Sequence, residues 1–244
     1  MSWAHDWLTP DWPAPVWVKA CITTRSGGIS AVPFDSFNLG EHVEDDPVAV
    51  TKNRQRLISQ LGCKPAWLRQ VHGVAVVPAE PGDVLEADAS WTATPGVACT
   101  VMTADCLPVL FCDRAGSRVA AAHAGWRGLA GGVLETTLDA LAVAPEDVLA
   151  WLGPAIGPQA FEVGAEVREA FMAVHPQAAE AFVASVNPGR YMADIYQLAR
   201  IRLAARGVTA VYGGGFCTYS DPRFYSYRRA AQTGRFASLI WLAN

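Results

Sequence analysis

Three residues with metal-binding side chains stand out because each lies at the end of a predicted strand or in a tight loop. His72 follows a strand that breaks at Gly73, and His123 closes a run of small residues before a glycine turn. Cys106 lies in a short polar interruption between two apolar segments. Two imidazoles and one thiolate with an open fourth position make a plausible catalytic Zn²⁺ set, because zinc accepts nitrogen and sulfur donors.

The same three residues permit other interpretations. Their spacing matches no short zinc motif, so a buried cysteine and two hydrogen-bonded histidines fit the pattern as well. Cys106 could also be the nucleophile of a cysteine hydrolase or amidase, with His123 or His72 as its base. A zinc-bound thiolate is a poor nucleophile, so metal occupancy separates these two enzymes. A metal-dependent binding module without catalysis is the third interpretation.

A candidate anion site follows His123, where a strand, a glycine turn and a predicted helix succeed one another. The free N–H groups and the dipole at a helix start attract anions, and Arg127 could close on such an anion with two hydrogen bonds. Further cations are Arg25, Arg228 and Arg229, which could equally form salt bridges with some of the 23 acidic residues. Neighbouring aromatic residues could stack on a purine or pack in the core: Phe37, Trp126, Tyr225 and Tyr227.

The composition excludes several classes of function. With 19 basic and 23 acidic residues the formal charge is −4, so the basic surface of a nucleic-acid binder is missing. No apolar run approaches the ~18 residues of a membrane helix, and the first residues do not resemble a signal peptide. We therefore expect a cytoplasmic protein without nucleic-acid or membrane partners. Its 244 residues, 51% of them hydrophobic, predict one domain over residues 1–244.

Hydrophobic periodicity predicts a mixed α/β fold. One helix begins at Asp46 and Pro47 and ends at Gly62. The other predicted helices are Leu129–Leu141, Val163–Val174 and Ile195–Arg206. The predicted strands are Trp17–Thr23, Trp67–Val71, Val74–Val77, Val97–Met102, Val109–Cys112, Arg118–Ala122, Val148–Leu152, Val208–Tyr212 and Phe236–Leu242. The central cluster of strands argues against an alternating parallel Rossmann layout and favours sheets packed on each other with helices outside.

The sequence resembles the YfiH family, also called the laccase-domain, multicopper polyphenol oxidase or peptidoglycan-editing-factor family. The resemblance spans nearly the whole chain and rests on these segments: Thr23–Gly28, Phe37–Gly40, Asp45–Pro47, Asn53–Arg54, Gln70–Gly73, Thr103–Cys106, His123–Gly128, Glu162–Gly164 and Phe224–Arg229. It implies a layered α/β/β/α sandwich likened to cysteine hydrolases, with metal ligands at His72, Cys106 and His123. Candidate substrate-binding residues are then Arg25, Asn38, Arg127, Arg228 and Arg229. Ala155 and Gln159 stand where relatives often carry Cys, and Glu44 stands where Gly is usual.

The resemblance also implies a function. Members are described as purine nucleoside phosphorylases that cleave adenosine, inosine and methylthioadenosine with phosphate, and that deaminate adenosine. We therefore expect Zn²⁺, with Cu²⁺ as the other possible metal, and a monomer or homodimer acting on a purine nucleoside and phosphate. In deamination a carboxylate such as Asp105 would carry protons. A multicopper oxidase needs imidazoles on the order of ten, and the chain has five histidines. Polyphenol oxidation is therefore a secondary alternative.

Overall fold

The computed structural model describes residues 6–243, so residues 1–5 and 244 of the predicted domain lie outside the described range. The α-helices are α1 (Pro47–Leu61), α2 (Trp126–Gly131), α3 (Val133–Leu141), α4 (Ala165–Met172) and α5 (Ile195–Ala205). The strands are β1 (Val18–Ile22), β2 (Lys64–Ala66), β3 (Leu68–Arg69), β4 (Val76–Pro78), β5 (Leu85–Glu86), β6 (Ala89–Thr92), β7 (Val97–Thr103), β8 (Leu107–Asp113), β9 (Val119–Ala124), β10 (Val148–Leu152), β11 (Glu162–Gly164), β12 (Phe182–Ala184), β13 (Arg190–Ala193), β14 (Ala210–Gly213) and β15 (Phe236–Leu242). In this range no helix combines the length and the apolar character needed to cross a membrane.

Two large sheets form the body of the described chain. One has the strand order β1-β15-β7-β2 and the other the order β14-β10-β8-β9-β6-β4. Strands β8, β9 and β10 pair antiparallel, whereas β14 joins β10 and β4 joins β6 in parallel. Two smaller sheets have the orders β11-β13-β12 and β3-β5. The mixed strand directions agree with the prediction that the fold is not an alternating parallel one.

The side chains of β8 show how the layers are stacked. Leu107, Val109 and Phe111 pack in the core that contains residues of α3, α4 and α5. Leu110 and Cys112 point to the opposite face and pack in the core shared with β7 and β15 of the other sheet. This alternation is expected of a strand that is buried on both faces.

A third apolar cluster covers the outer face of the four-stranded sheet. Leu57 and Leu61 of α1 pack there with Leu239 and Trp241 of β15. The layers therefore run α1, four-stranded sheet, six-stranded sheet, then α3 and α5. The predicted mixed α/β fold with an α/β/β/α order is confirmed.

The start and the end of α1 were predicted from local chemistry and are confirmed. The carboxylate of Asp46 accepts a hydrogen bond from the Val48 N–H at 2.9 Å, and Pro47 occupies the first turn. Gly62 ends the helix in the left-handed conformation with φ of 67°. These are the cap roles that aspartate and glycine have in general.

Other element boundaries differ from the prediction. The helix predicted over Leu129–Leu141 is two helices, because Gly132 adopts a φ of 105° and ends α2 before α3 begins. The helix predicted from Val163 begins at Ala165, because the preceding residues pair with β13 in an antiparallel sheet. Six strands were not predicted: β2, β5, β6, β11, β12 and β13. They are short, and pairing with neighbours rather than local pattern makes them strands.

Candidate metal centre

The fold brings the three predicted ligands together. Their donor atoms all lie within 4.8 Å of one another, and Sγ of Cys106 lies 3.8 Å from Nε2 of His72. His123 belongs to β9 and pairs in register with Pro108 of β8, two residues beyond Cys106. The β8–β9 pairing therefore places the imidazole beside the thiol. His72 arrives from the turn that follows β3, and its ring meets that of His123 edge to face at 4.8 Å.

The backbone around the group adopts unusual conformations. His72 has a φ of 62° and Asp105 a φ of 101°, both in a region that non-glycine residues rarely occupy. Such residues cluster at functional sites, where the surrounding structure holds them in place. A Cβ on Gly125 would lie 2.8 Å from Cδ2 of His72 and 3.0 Å from Sγ of Cys106. Glycine is therefore required for the close approach of the three donors.

Asp88, which the sequence analysis missed, accepts hydrogen bonds from the chain around two of the three candidate ligands. It lies between β5 and β6 and is fully buried. One carboxylate oxygen accepts hydrogen bonds from the His72 N–H at 2.9 Å and from Nδ1 of His123 at 2.7 Å. The other accepts from the Gly73 N–H at 2.6 Å and from the Val71 N–H at 3.2 Å. A single carboxylate thus holds the loop of one candidate ligand and the ring of another.

This arrangement determines which nitrogen of His123 is available. A carboxylate at Nδ1 keeps the proton there, which leaves the lone pair of Nε2 for a ligand. Burial raises the pKa of Asp88, but the hydrogen bond and charge of His123 and the N–H groups of Gly73 and Val71 outweigh it and lower the pKa. The sequence offered one signal for Asp88, namely an acidic residue in a largely apolar segment. A carboxylate that is buried there needs hydrogen-bond partners, which would have marked it as a candidate.

Cys106 and His123 titrate as a pair. Burial raises the pKa of Cys106, but the charge of His123 and hydrogen bonds from His123 and His72 outweigh it and lower the pKa to about 6. Burial lowers the pKa of His123, but the thiolate and the Asp88 carboxylate outweigh it and raise the pKa to about 9. Without a metal the site therefore holds a thiolate and an imidazolium at neutral pH. Two imidazoles and one thiolate within this distance fit Zn²⁺ or a copper ion.

The three side chains open into a cleft of about 450 Å³, within the size range of small-molecule sites. Its walls carry aromatic and cationic side chains: Trp126, Phe161, Tyr227, Arg127, Arg228 and Arg235. Arg127 is exposed and stacks on the ring of Trp126, with 4.4 Å between Cζ and the ring centroid. Arg228 reaches across to the Glu162 carbonyl, to which Nη1 donates at 3.1 Å.

The other predicted substrate-binding residues lie outside this lining. Arg25 forms an ion pair with Asp35 at 3.0 Å, which is the salt bridge that the sequence analysis gave as the alternative to substrate binding. Asn38 is fully buried, and its amide donates to the Gly40 carbonyl at 3.1 Å. Arg229 donates to the carbonyl of Thr218 at 2.7 Å. Their hydrogen bonds hold loops around the cleft.

The helix start that was predicted to attract an anion belongs to a shorter helix than expected. Helix α2 has only six residues because Gly132 interrupts it. Its dipole is therefore small, and its first-turn N–H groups offer less than a long helix would. Positive charge in the cleft comes instead from the arginine side chains of its walls.

Known proteins resemble this chain over nearly its whole length. A purine nucleoside phosphorylase from Pseudomonas aeruginosa is 72% identical over 241 residues, covering 98% of this chain and 100% of the relative. The purine nucleoside phosphorylase YfiH of Escherichia coli strain K12 is 58% identical over 240 residues, covering 96% of this chain and 98% of the relative. A crystal structure of a Neisseria meningitidis protein superposes with a TM-score of 0.96 at 54% identity, covering 98% of this chain and 100% of that one.

A family model described as multi-copper polyphenol oxidoreductase laccase matches residues 19–243. The chain belongs to this family. The resemblance stated from the sequence motifs is thereby confirmed. The laccase description does not fit the donor inventory, because across residues 6–243 the candidate metal-binding side chains gather in one group of three. A multicopper oxidase fills several copper sites with imidazoles on the order of ten.

Proposed function

We propose that this chain is a metal-dependent purine nucleoside phosphorylase, which converts a purine nucleoside and phosphate to the free base and ribose 1-phosphate. The observation that carries the proposal is the shared cleft. The group of His72, Cys106 and His123 opens into the same cavity as the arginine and aromatic side chains. The names of the relatives at 72% and 58% identity support the same reaction.

Different residues of the cleft have different roles in this reaction. An oxygen of phosphate forms a bond to C1′ of the ribose while the C1′–N9 bond breaks, and the base takes a proton. Arginine side chains of the cleft, among them Arg127 and Arg228, supply the positive charge that attracts the phosphate. Trp126 and Tyr227 offer flat surfaces to the purine. His72, Cys106 and His123 would hold Zn²⁺, which supplies Lewis-acid chemistry when bound.

Adenosine deamination is part of the proposal as a side activity. Asp105 is the residue we propose to carry protons in it, because it precedes Cys106 and lines the cleft. Its two oxygens accept hydrogen bonds from Oγ1 of Thr218 at 2.7 Å and from the Arg228 N–H at 2.6 Å. We further propose zinc rather than copper as the resident metal, a cytoplasmic location, which suits a reaction of small metabolites, and a monomer or homodimer.

One observation favours a second candidate. Cys106, His123 and Asp88 form a chain in which a thiolate is paired with an imidazolium that a buried carboxylate orients. This is the arrangement of a nucleophile, a base and an orienting group in cysteine hydrolases. Such an enzyme would act on an amide bond, as in editing of peptidoglycan precursors, and would need neither metal nor phosphate.

Product analysis separates the two candidates. Purified protein is incubated with adenosine, with and without phosphate, before and after removal of metal by a chelator. The phosphorylase should release adenine only with phosphate and metal, and Cys106→Ser and His72→Ala should both abolish it. Inosine from the side activity should persist without phosphate and vanish with the metal. Adenine formation at an equal rate without phosphate, or full activity of metal-free protein, would reject the proposal.

A further inference from the structure

Arg235 is a cation of the cleft for which the sequence analysis assigned no role. It immediately precedes β15 and lines the cavity that contains Cys106. It is partly buried, and within the described part of the chain no carboxylate forms an ion pair with it. A partly buried guanidinium without a counter-ion is stabilised by an anionic ligand, because burial of an unpaired charge is costly.

The surrounding chain holds Arg235 in a defined position. Its N–H donates to Oδ1 of Asn38 at 2.8 Å, and its Nη1 donates to the carbonyls of Thr233 and Gly234, both at 3.0 Å. A Cβ on Gly40 would lie 2.9 Å from Cγ of Arg235, so glycine lets the stem pack closely. The Phe37–Gly40 segment thus positions this arginine, which explains a buried asparagine that does not line the cleft.

The location of Arg235 suits a ligand that enters separately from the nucleoside. Arg235, His42 and Tyr227 line both the cleft and an adjoining open cavity of about 530 Å³. Burial lowers the pKa of Arg235, and the charges of Cys106 and Asp105 act in the opposite direction. The guanidinium and the Cys106 thiol thus line the same cleft.

The other two arginines of the cleft are less suited to hold an anion rigidly. Arg127 is exposed and stacks on Trp126, and Nη1 of Arg228 is engaged by the Glu162 carbonyl. Arg235 has its Nη1 fixed by two carbonyls, so the orientation of its remaining donors is set before a ligand arrives. A positioned guanidinium loses less entropy on binding a tetrahedral oxyanion than a mobile one does.

We propose that Arg235, with His42 at its rim, forms a subsite for a phosphate-type oxyanion. The identity of this anion rests on the proposed function, which makes inorganic phosphate the expected ligand. The 5′-phosphate of a nucleotide offers the same chemistry, and the experiment distinguishes the two sources. Arginine binds two oxygens of such an anion through parallel N–H groups, which lysine cannot do.

The first test is arginine modification of the metal-loaded protein by phenylglyoxal, mapped by mass spectrometry. Inorganic phosphate, adenosine 5′-monophosphate and adenosine are compared as protecting agents. Phosphate should slow modification of Arg235 at least about tenfold, while Arg206, which pairs with Asp139 at a different cavity, serves as the unprotected control. Protection by the nucleotide alone would support the subsite with the ester as its ligand. Protection by neither, or protection of Arg127 instead, would overturn the proposal.

The second test is steady-state kinetics of Arg235→Lys and Arg235→Gln, with Arg206→Gln as the matched charge-removing control. Loss of a charge-assisted hydrogen bond should raise the KM for phosphate by about 10- to 100-fold, with a much smaller change in the KM for adenosine. Arg235→Lys keeps the stem and the charge, so it should fold even where Arg235→Gln does not. An unchanged phosphate KM in Arg235→Lys with no protection in the mapping experiment would overturn the proposal.

Failure of the Arg235 proposal and failure of the proposed function give different results in these tests. Protection by phosphate requires no turnover, so the mapping result stands even if the wild-type protein forms no ribose 1-phosphate. If ribose 1-phosphate forms and Arg235 is not protected, the subsite is rejected and the phosphorylase remains.

Discussion

Replacing Asp88 by Asn removes charge from the residue that organises the metal centre while its size stays almost the same. The carboxylate accepts four hydrogen bonds, two on each oxygen, from Val71, His72, Gly73 and His123. Asparagine keeps one oxygen and presents an amide N–H₂ group at the other position. The two N–H groups that bonded to the replaced oxygen then have no acceptor there. Two charge-assisted hydrogen bonds are lost whichever way the amide is turned.

The size of the effect follows from these contacts. Hydrogen bonds to a charged group contribute about 1.5–3 kcal/mol each, so the free energy of unfolding of metal-free Asp88→Asn should fall by about 3–6 kcal/mol. Loss of a carboxylate that orients a ligating histidine typically lowers metal affinity by about 10- to 100-fold. Urea unfolding measures the first quantity, and competition for Zn²⁺ with a chromophoric chelator measures the second.

Asp113→Asn is the matched control. Asp113 is also a buried carboxylate, and it accepts hydrogen bonds from the Ser117 N–H and hydroxyl, both at 2.6 Å, and from the Arg118 N–H at 3.0 Å. It does not line the cleft. The control should lose less stability, because its amide oxygen can keep the N–H groups of Ser117 and Arg118 while its N–H₂ group donates to the Ser117 hydroxyl, and it should keep its zinc affinity. If Asp88→Asn binds zinc within about threefold of wild type, or loses less than about 1 kcal/mol of stability, our account of Asp88 is wrong.

Three further predictions follow from the same structure. In metal-free protein, iodoacetamide should alkylate Cys106 at a rate that rises with pH through a midpoint near 6 and then levels off, because the pKa of its thiol is lowered to about 6. Zn²⁺ should suppress this alkylation, and a midpoint above pH 8, measured by peptide mapping, would contradict the assignment of a thiolate. Gly125→Ala should lose zinc affinity because its Cβ meets the side chains of His72 and Cys106, whereas Gly131→Ala, which meets Val74, should keep it; equal zinc affinities in equilibrium dialysis would refute the steric argument. Tyr225→Phe should lower the free energy of unfolding by about 1–2 kcal/mol, because its hydroxyl donates to the buried Phe34 carbonyl at 2.7 Å, and should leave kcat unchanged; a loss of activity without a loss of stability would instead place Tyr225 at the substrate.

The candidate ligands could be found from the sequence because strand ends and glycine turns expose side chains locally. His72 and His123 each precede such a turn, and Cys106 was found in a short polar interruption between two apolar segments. Asp88 could not be found in the same way, because its role depends on bringing the turn after β3 and strand β9 to one point. No local pattern around residue 88 contains either partner.

The contact that Asn38 makes also depends on a residue that is distant in the chain. The Phe37–Gly40 segment was recognised by its motif, and its asparagine was predicted to bind substrate. In the structure this asparagine holds the backbone of Arg235, which lies 197 positions away in the chain. The layered fold was predictable because periodicity of two and of 3.6 residues reports burial directly. Short strands such as β6 were missed because their pairing partners, and not their residues, determine them.

The most direct test of the central claim follows the oxygen that becomes bonded to C1′ of the ribose. Metal-loaded protein is incubated with adenosine and phosphate in which all four oxygens are ¹⁸O, in ordinary water, and the sugar product is analysed by mass spectrometry. Phosphorolysis predicts ribose 1-phosphate that retains all four labelled oxygens, in an amount equal to the adenine released. Free ribose that carries only unlabelled oxygen, formed at the rate of adenine release, would show that water attacks the nucleoside and would contradict the proposed function.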